Sequence, residues 1–203
     1  MGYILLILIV IVIGYYAFKD RRNNETLDLL PEQFVVFDLV ATGLDTKRHQ
    51  IIELGAMRVS REYTMPLTFQ ALVKPQENIP KKIVDLTGIT QEMLDREGDD
   101  LADVLESFRE FVGDARLVSF DAKFKKAFLN AAYARCKMAP LSNRMSCALK
   151  MARRAWPKRK SYRLADIADD ENIETNGTHR ALEDCKRTLA VYEAAALNLK
   201  SVR

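Results

Sequence analysis

Residues 34–59, FVVFDLVATGLDTKRHQIIELGAMRV, carry the strongest indication of the fold of this chain. Its first part, residues 34–40, is a continuous apolar run that is rich in β-branched residues and is interrupted by one acid, Asp38. Such a run is typical of a central strand that is buried on both faces of a sheet. A second candidate strand, residues 51–59, follows after a short polar segment, so we expect the two strands to pair antiparallel.

The rest of the chain adds one more strand to this pair and then alternates between helices and strands. Residues 68–73 are the third strand of the expected antiparallel meander. Helical spacing of apolar residues predicts an amphipathic helix over residues 101–112, and a short strand is expected at 117–119. Further helices are predicted from near Asp121, over 147–155, over 164–168 and after Thr178. This order predicts an α/β domain with a mixed sheet.

The N-terminal segment differs in composition from everything that follows it. Residues 2–18, GYILLILIVIVIGYYAF, carry no charge. As a helix they would rise about 26 Å, enough to span a thin bilayer. Lys19, Arg21 and Arg22 follow this run, whereas a cleavable signal peptide carries its basic residues before the apolar run. The segment therefore predicts a transmembrane helix.

The order of charges predicts the topology of this helix. Because the basic cluster lies after the apolar run, we expect a single-pass protein of the inner membrane with its C-terminal side in the cytoplasm. The chain then divides into a transmembrane helix at 1–18, a tether at 19–32 and a domain at 33–203. A buried core helix is the alternative for the first segment, but that segment is apolar on every face and abuts KDRRNN.

Overall composition limits the classes of function only weakly. The formal net charge of +3 over 203 residues is too small to indicate a partner, so the distribution of charge must do so. Cys136, Cys147 and Cys185 show no CxxC or Cys/His spacing of the kind that a zinc site requires. Free thiols in a reducing compartment are the expected state of these cysteines.

Residues 34–59 resemble the first motif of the DEDDh 3′→5′ exonucleases, the family of the proofreading epsilon subunit of bacterial DNA polymerase III. Family members have Asp-x-Glu-Thr-Thr-Gly where this chain has DLVATG, beginning at Asp38. The first Asp is retained, and Val40 replaces the Glu. Further similar segments follow in family order: IIELGA at 51–56, FQALVKP at 69–75 and IPKKIVDLTGIT at 79–90.

The resemblance covers nearly all of the chain after the tether and extends to two later motifs. It implies a ribonuclease H-like α/β fold with a mixed five-stranded sheet flanked by helices. The second motif, roughly His-Asn-x-x-Phe-Asp, corresponds to FDAKFK, where Phe120 replaces the His and Lys125 replaces a metal-binding Asp. The third, His-x-Ala-x-x-Asp, is intact from His179 to Asp184. In the family this His is the general base, a role that His179 would match.

The two substitutions bear directly on metal binding, since the family carboxylates hold two divalent ions and two-metal hydrolysis needs several anionic ligands. Asp38 and Asp184 are the matching carboxylates, and with Lys125 they leave a formal charge of −1 where the family has −4. We expect no metal ion at this site, and we expect the Lys125 ammonium within ion-pair distance of Asp38 or Asp184. A metal site relocated to Glu53 or Asp121 is the alternative.

A basic run that is interleaved with aromatic residues follows the second motif. Its candidate nucleic-acid contacts are Lys150, Arg153, Arg154, Trp156, Lys158, Arg159 and Lys160. Such runs bind single strands through phosphates and base stacking. A solvated helix and loop face is the alternative, because the acidic residues Asp166, Asp169, Asp170 and Glu171 follow at once and can offset the positive field. Anionic lipid is a further candidate partner for a tethered domain.

Together these features predict a catalytically degenerate exonuclease-like domain, with no cofactor, that acts as a binding or structural subunit beside other protein subunits at the membrane. The competing interpretation is an active, membrane-tethered 3′→5′ exonuclease on single-stranded DNA or RNA that uses Mg²⁺ or Mn²⁺. A third is a pseudo-enzyme that still binds single-stranded nucleic acid. Metal binding separates the first two interpretations, and salt-dependent oligonucleotide binding tests the third.

Overall fold

A computed structural model of the chain describes residues 30–60, 65–173 and 179–201. Within these ranges the chain forms a five-stranded sheet with strand order β3-β2-β1-β4-β5. The strands are β1 (Gln33–Ala41), β2 (Ile51–Ser60), β3 (Leu67–Leu72), β4 (Arg116–Ser119) and β5 (Met145–Cys147). The helices are α1 (Lys81–Thr87), α2 (Gln91–Glu97), α3 (Leu101–Val112), α4 (Ala122–Arg135), α5 (Ala148–Ala155), α6 (Leu164–Asp170) and α7 (Ala181–Ser201).

The sheet is mixed, as the sequence predicted. Strands β1, β2 and β3 form an antiparallel meander, while β4 pairs parallel with β1 and β5 pairs parallel with β4. In the β1–β2 register, Asp38 lies opposite Gly55 and Val40 lies opposite Glu53. The register then shifts between Val40 and Ala41, where β1 ends.

Strand β1 is the centre of the molecule because both of its faces are buried. Val35 and Phe37 point into a cluster with Phe108 of α3, whereas Phe34 and Val36 pack on the other face. The second face is covered by α7, through residues such as Cys185 and Tyr192. The period-two alternation of a strand therefore places Asp38 on the same face as Phe34 and Val36, towards α7.

Local signals at the helix ends match the expectations for the longer helices. The Asp100 carboxylate accepts a hydrogen bond from the Ala102 amide at the start of α3, and α3 ends at Gly113, which has φ of 45°. The Asp121 carboxylate likewise accepts from the Phe124 amide at the start of α4. Glycine favours the left-handed backbone needed after a helix end, and short acidic side chains favour the start.

The structure departs from the sequence expectations at the short elements. Helices α1 and α2 and strand β5 were not predicted, and the helix expected from residue 147 begins at Ala148 because Met145–Cys147 forms β5. Thr178, the expected cap of the last helix, lies outside the described residues, and α7 begins at Ala181. Elements of three to seven residues show few repeats of a period, although the short strand β4 and the short helix α6 were predicted.

None of the helices within residues 30–60, 65–173 and 179–201 has the length and apolar character needed to cross a bilayer. The predicted transmembrane helix at 1–18 and residues 19–29 of the predicted tether lie outside the described part of the chain. Leu30, which falls within the predicted tether, is buried in the cluster that contains Phe34 and Tyr192. The membrane span therefore stays a prediction.

Candidate functional site

The start of α7 lies directly on β2, and this contact brings the third motif to the first. A Cβ atom added to Gly55 would lie 2.7 Å from the Leu182 amide nitrogen and 2.8 Å from the Ala181 carbonyl carbon. Only a glycine lets a helix backbone approach a strand this closely. Because Gly55 is the partner of Asp38 in the sheet, the first turn of α7 also lies beside Asp38.

Glu53 holds the start of α7 in this position. Its side chain is fully buried, and Oε1 accepts hydrogen bonds from Arg180 Nε at 2.9 Å and Nη2 at 2.7 Å. The other oxygen, Oε2, accepts from the Ala181 amide at 2.8 Å, and Gln70 donates to Oε1 at 2.8 Å. Both carboxylate oxygens of Glu53 therefore already accept hydrogen bonds that anchor the helix. Asp121, the other candidate for a relocated metal site, caps α4 instead.

Lys125 of α4 reaches across to β1 and pairs with Asp38. The ammonium Nζ lies 2.6 Å from Asp38 Oδ1, and it donates a hydrogen bond of 2.8 Å to the Leu39 carbonyl oxygen. Only 15% of the Lys125 side chain and 8% of the Asp38 side chain are exposed. The contact with Oδ1 is therefore a largely buried ion pair. The expected ion pair is confirmed.

Asp184 has its own cation, which the sequence reasoning missed. Arg187, one turn further along α7, places Nη1 2.6 Å from Asp184 Oδ1, and its side chain is only 5% exposed. His179 is also near, with Nδ1 4.0 Å from Asp184 Oδ2. The spacing of three residues on a predicted helix was the available signal, since such pairs share one helix face.

Burial dominates the proton affinity of both carboxyl groups. It raises the pKa of Asp38 above its ordinary value, against the opposing attraction of the Lys125 ammonium, and the nearby charge of Asp184 raises it further. Burial likewise raises the pKa of Asp184, which Arg187, His179 and Lys125 oppose in that order. The site is thus a desolvated cluster in which each acid depends on a neighbouring cation.

These residues do not fit a pair of divalent metal ions. In the described ranges there is no group of three or more His, Cys, Asp or Glu side chains that could hold a metal. Val40 presents hydrocarbon where the family has a carboxylate, and a metal ion beside Asp38 would face the Lys125 ammonium. Like charges at this separation repel strongly in a buried setting, and hard cations need several oxygen ligands.

The two other replaced positions are filled by packing. Val40 is half-buried against the cluster of Ile52, Ile79, Ile89 and Leu94. Phe120 is half-buried between the cluster under α7 and the one that contains Trp156, and its carbonyl oxygen accepts from the Leu149 amide at 3.0 Å. Neither side chain supplies a polar group to the site.

A cavity of about 470 Å³ opens over the cluster of charges. Asp38, Lys125, His179 and Asp184 line it together with apolar side chains from Val40, Leu44, Ile83, Leu86 and Phe124. Leu44 is 82% exposed and Leu86 is 52% exposed at this site. The four motif residues that the sequence predicted as one site therefore share a single, mainly apolar cavity.

The structure divides the predicted nucleic-acid contacts into two groups. Arg159 is only 11% exposed, lies 2.6 Å from Asp170 and 3.0 Å from Glu171, and sits over the half-buried Trp156 ring at 5.4 Å. These two residues hold the connection between α5 and α6. The others, Lys150, Arg153, Arg154, Lys158 and Lys160, are exposed.

Comparison with known proteins identifies relatives for this arrangement. The Exonuclease (RNase_T) family profile matches residues 35–192. The chain is 38% identical over 176 residues to DNA polymerase III subunit epsilon of Aquifex aeolicus. The aligned region covers 87% of this chain and 84% of that protein. It is 35% identical over 158 residues to the PolC-type DNA polymerase III of Bacillus subtilis, covering 77% of this chain but 11% of that much longer protein.

Solved structures with the same fold include two exonucleases in complex with DNA. Escherichia coli exonuclease I with a dT13 oligonucleotide matches with a TM-score of 0.74 and 18% identity, covering 85% of this chain and 42% of that chain. Exonuclease X with 5′ overhanging duplex DNA matches with a TM-score of 0.64 and 21% identity, and the match covers 83% of this chain and 93% of that chain. At these identities the likeness concerns the fold.

Proposed function

Because the chain belongs to the Exonuclease (RNase_T) family and yet carries a buried ammonium against Asp38, we propose that it is a catalytically degenerate exonuclease-like domain. In this proposal the domain acts as a binding or structural subunit and not as a nuclease. The observation that carries it is the 2.6 Å ion pair between Lys125 and Asp38.

The charges of the site support this proposal. Phosphodiester hydrolysis in this family of sites depends on anionic ligands for divalent ions. Here both remaining carboxylates are paired with cations from the chain itself, Asp38 with Lys125 and Asp184 with Arg187. The internal cations keep the buried acids compensated, so the fold keeps its geometry without metal. His179 is then left near Asp184 with no reaction to serve.

The proposal also includes a membrane anchor and an assembly. Support for the anchor comes from the charge-free run at residues 2–18 and from Lys19, Arg21 and Arg22 after it, which together favour a span with the domain in the cytoplasm. Support for an assembly comes from the relative in Aquifex aeolicus, which is named as a polymerase subunit. A domain without chemistry would contribute by binding.

A nuclease assay on the full-length protein tests the proposal. The substrates are single-stranded DNA and RNA labelled at the 5′ end, with Mg²⁺ or Mn²⁺ present. We expect no shortening above a protein-free blank, because Val40 and Lys125 supply no anionic ligand. A 3′→5′ ladder of products that disappears in the Asp184→Ala variant would establish the active exonuclease instead. Oligonucleotide binding without cleavage would identify the ligand of a pseudo-enzyme.

A further inference from the structure

A second cavity, of about 450 Å³, opens between the N-terminal halves of α4 and α5. Four of its lining residues are cations, namely Lys123, Lys126, Lys150 and Arg153. Asp121 is the one acid that lines it. We call this feature the basic cavity. None of the four cations belongs to the cluster of Asp38, Lys125 and Asp184, so the basic cavity has its own chemistry.

The four cations of the basic cavity have no acidic partner in the parts of the chain that are described. Arg153 lies over the Tyr162 ring at 5.6 Å, and no ion pair to an acid is formed by any of the four within those ranges. Asp121 is already used, since its carboxylate accepts from the Phe124 amide at 3.3 Å. Arg159, by contrast, is matched by two acids.

Cations gathered around one concavity without acids in contact with them repel one another, so an anion that enters stabilises the arrangement. A cavity with low-dielectric walls also concentrates the positive field. The formal charge of the lining is +3, from four cations and Asp121. An anionic ligand is therefore favoured over a neutral or cationic one.

The backbone around the cavity adds to this preference. Strands β4 and β5 are parallel neighbours, and their carboxyl ends lead directly into α4 and α5. Ligands of α/β sheets commonly bind outside the carboxyl ends of parallel strands. Both helix starts direct the positive end of a helix dipole towards this region, and α5 has no side-chain cap. Phosphate groups are common ligands at such positions.

We propose that the basic cavity binds a small ligand that carries a phosphate group. Its volume lies within the roughly 300 to 1,000 Å³ that is usual for small-molecule sites. Lysine and arginine side chains from two helices can then contact phosphate oxygens from different directions. The phosphate comes from a soluble phosphorylated compound or from the headgroup of an anionic lipid, since both present the same oxygens. The site does not depend on the state of the Asp38–Lys125 pair.

Calorimetry with pyrophosphate as the probe tests this site on the full-length protein in detergent at low salt. We expect saturable binding that weakens as salt is added. The Lys150→Glu variant should bind at least about tenfold more weakly, since it reverses one contact charge. The control is Arg154→Glu, which makes the same change of charge at an exposed position of α5 that does not line the cavity. Its affinity should stay within about twofold of the wild-type value.

A second arm, which rests on the proposed membrane anchor, separates the two sources of phosphate. The protein is placed in nanodiscs of phosphatidylcholine alone or with phosphatidylglycerol, and pyrophosphate is titrated again. Loss of binding only with phosphatidylglycerol assigns the cavity to lipid headgroups, and unchanged binding assigns it to a soluble compound. If Lys150→Glu lowers the melting temperature, Lys123→Gln combined with Lys126→Gln replaces it. No saturable binding by the wild type, or equal weakening by Arg154→Glu, would overturn the proposal.

Discussion

At the scale of single residues, the site is described by which cation faces which acid. Lys125 was predictable from the sequence because the family motif fixed its place, and the only open question was its partner. The structure assigns it to Asp38 and to the Leu39 carbonyl. Arg187, the partner of Asp184, was not predicted because no motif draws attention to it. Arg187 pairs with Asp184 because the fold buries both side chains together, and this burial cannot be read from the sequence.

Removing the Lys125 ammonium should destabilise the fold. In Lys125→Ala, the Asp38 carboxylate stays buried but loses the cation that contacts it. The negative charge of Asp184, which lies nearby, then repels it without compensation. We expect a loss of about 1 to 3 kcal/mol in the free energy of unfolding, measured by urea denaturation. The control Lys158→Ala removes an exposed lysine and should change the free energy of unfolding by less than about 0.5 kcal/mol. Equal effects of the two variants would show that the ion pair contributes nothing.

Because Glu193 of α7 is largely buried, we expect the stability of the protein to depend on pH. Burial raises its pKa from 4.5 to about 7, so the folded state favours the protonated carboxyl. That contribution is fully present below the unfolded pKa of 4.5, and it is lost as the pH rises towards and through about 7.

The substitution Glu193→Gln should therefore stabilise the protein at pH 8 and change little at pH 4. The expected gain at pH 8 is on the order of 1 to 3 kcal/mol, measured by chemical denaturation at both pH values. Glu110→Gln on α3, at an exposed position, is the matched control. A gain at pH 4 as large as that at pH 8 would mean that the charge of Glu193 is not the cause.

At the scale of elements, the close contact of α7 with β2 builds the site. Gly55 permits the approach, and Glu53 holds the helix start through Arg180 and the Ala181 amide. These contacts place Asp184 of α7 close to Asp38 of β1.

The substitution Gly55→Ala tests this contact. Its Cβ would lie 2.7 Å from the Leu182 amide nitrogen, and backbone atoms cannot rotate away as a side chain can. We expect a loss of about 1 to 3 kcal/mol in unfolding free energy, with a larger loss for Gly55→Val. Thermal and urea denaturation measure both variants. If alanine is tolerated without loss, α7 does not lie as close to β2 as described.

Long elements were accessible from the sequence, and short ones only in part, since strand β4 and helix α6 were predicted but other short elements were not. The apolar run of β1 and the helical spacing of α3 predicted those elements correctly. Helix α1 and strand β5 were missed, because seven and three residues respectively give no period that stands out. The close contact at Gly55 was also missed, since a glycine in a strand pattern does not say which element approaches it.

At the scale of the whole molecule, the chain has the fold of its family, and the centre of that fold holds two acids that are paired with cations of the same chain. The mixed sheet and its helices match those of nucleases that bind DNA in solved structures. The central cluster is compensated from within by Lys125 and Arg187. The exposed cations of the basic cavity lie elsewhere on the surface. In the function that we propose, these internal cations supply the charge compensation that metal ions would otherwise provide.

Calorimetric titration of Mn²⁺ into the full-length protein and into the double variant Val40→Glu with Lys125→Asp measures whether the site around Asp38 and Asp184 can bind a metal ion. We predict no saturable binding to the wild-type protein, because the Lys125 ammonium pairs with Asp38 where a metal would need ligands. The double variant, which supplies two further carboxylates, should bind Mn²⁺ and should gain melting temperature only when metal is present. Stoichiometric Mn²⁺ binding by the wild-type protein that is lost in Asp184→Ala would contradict the account.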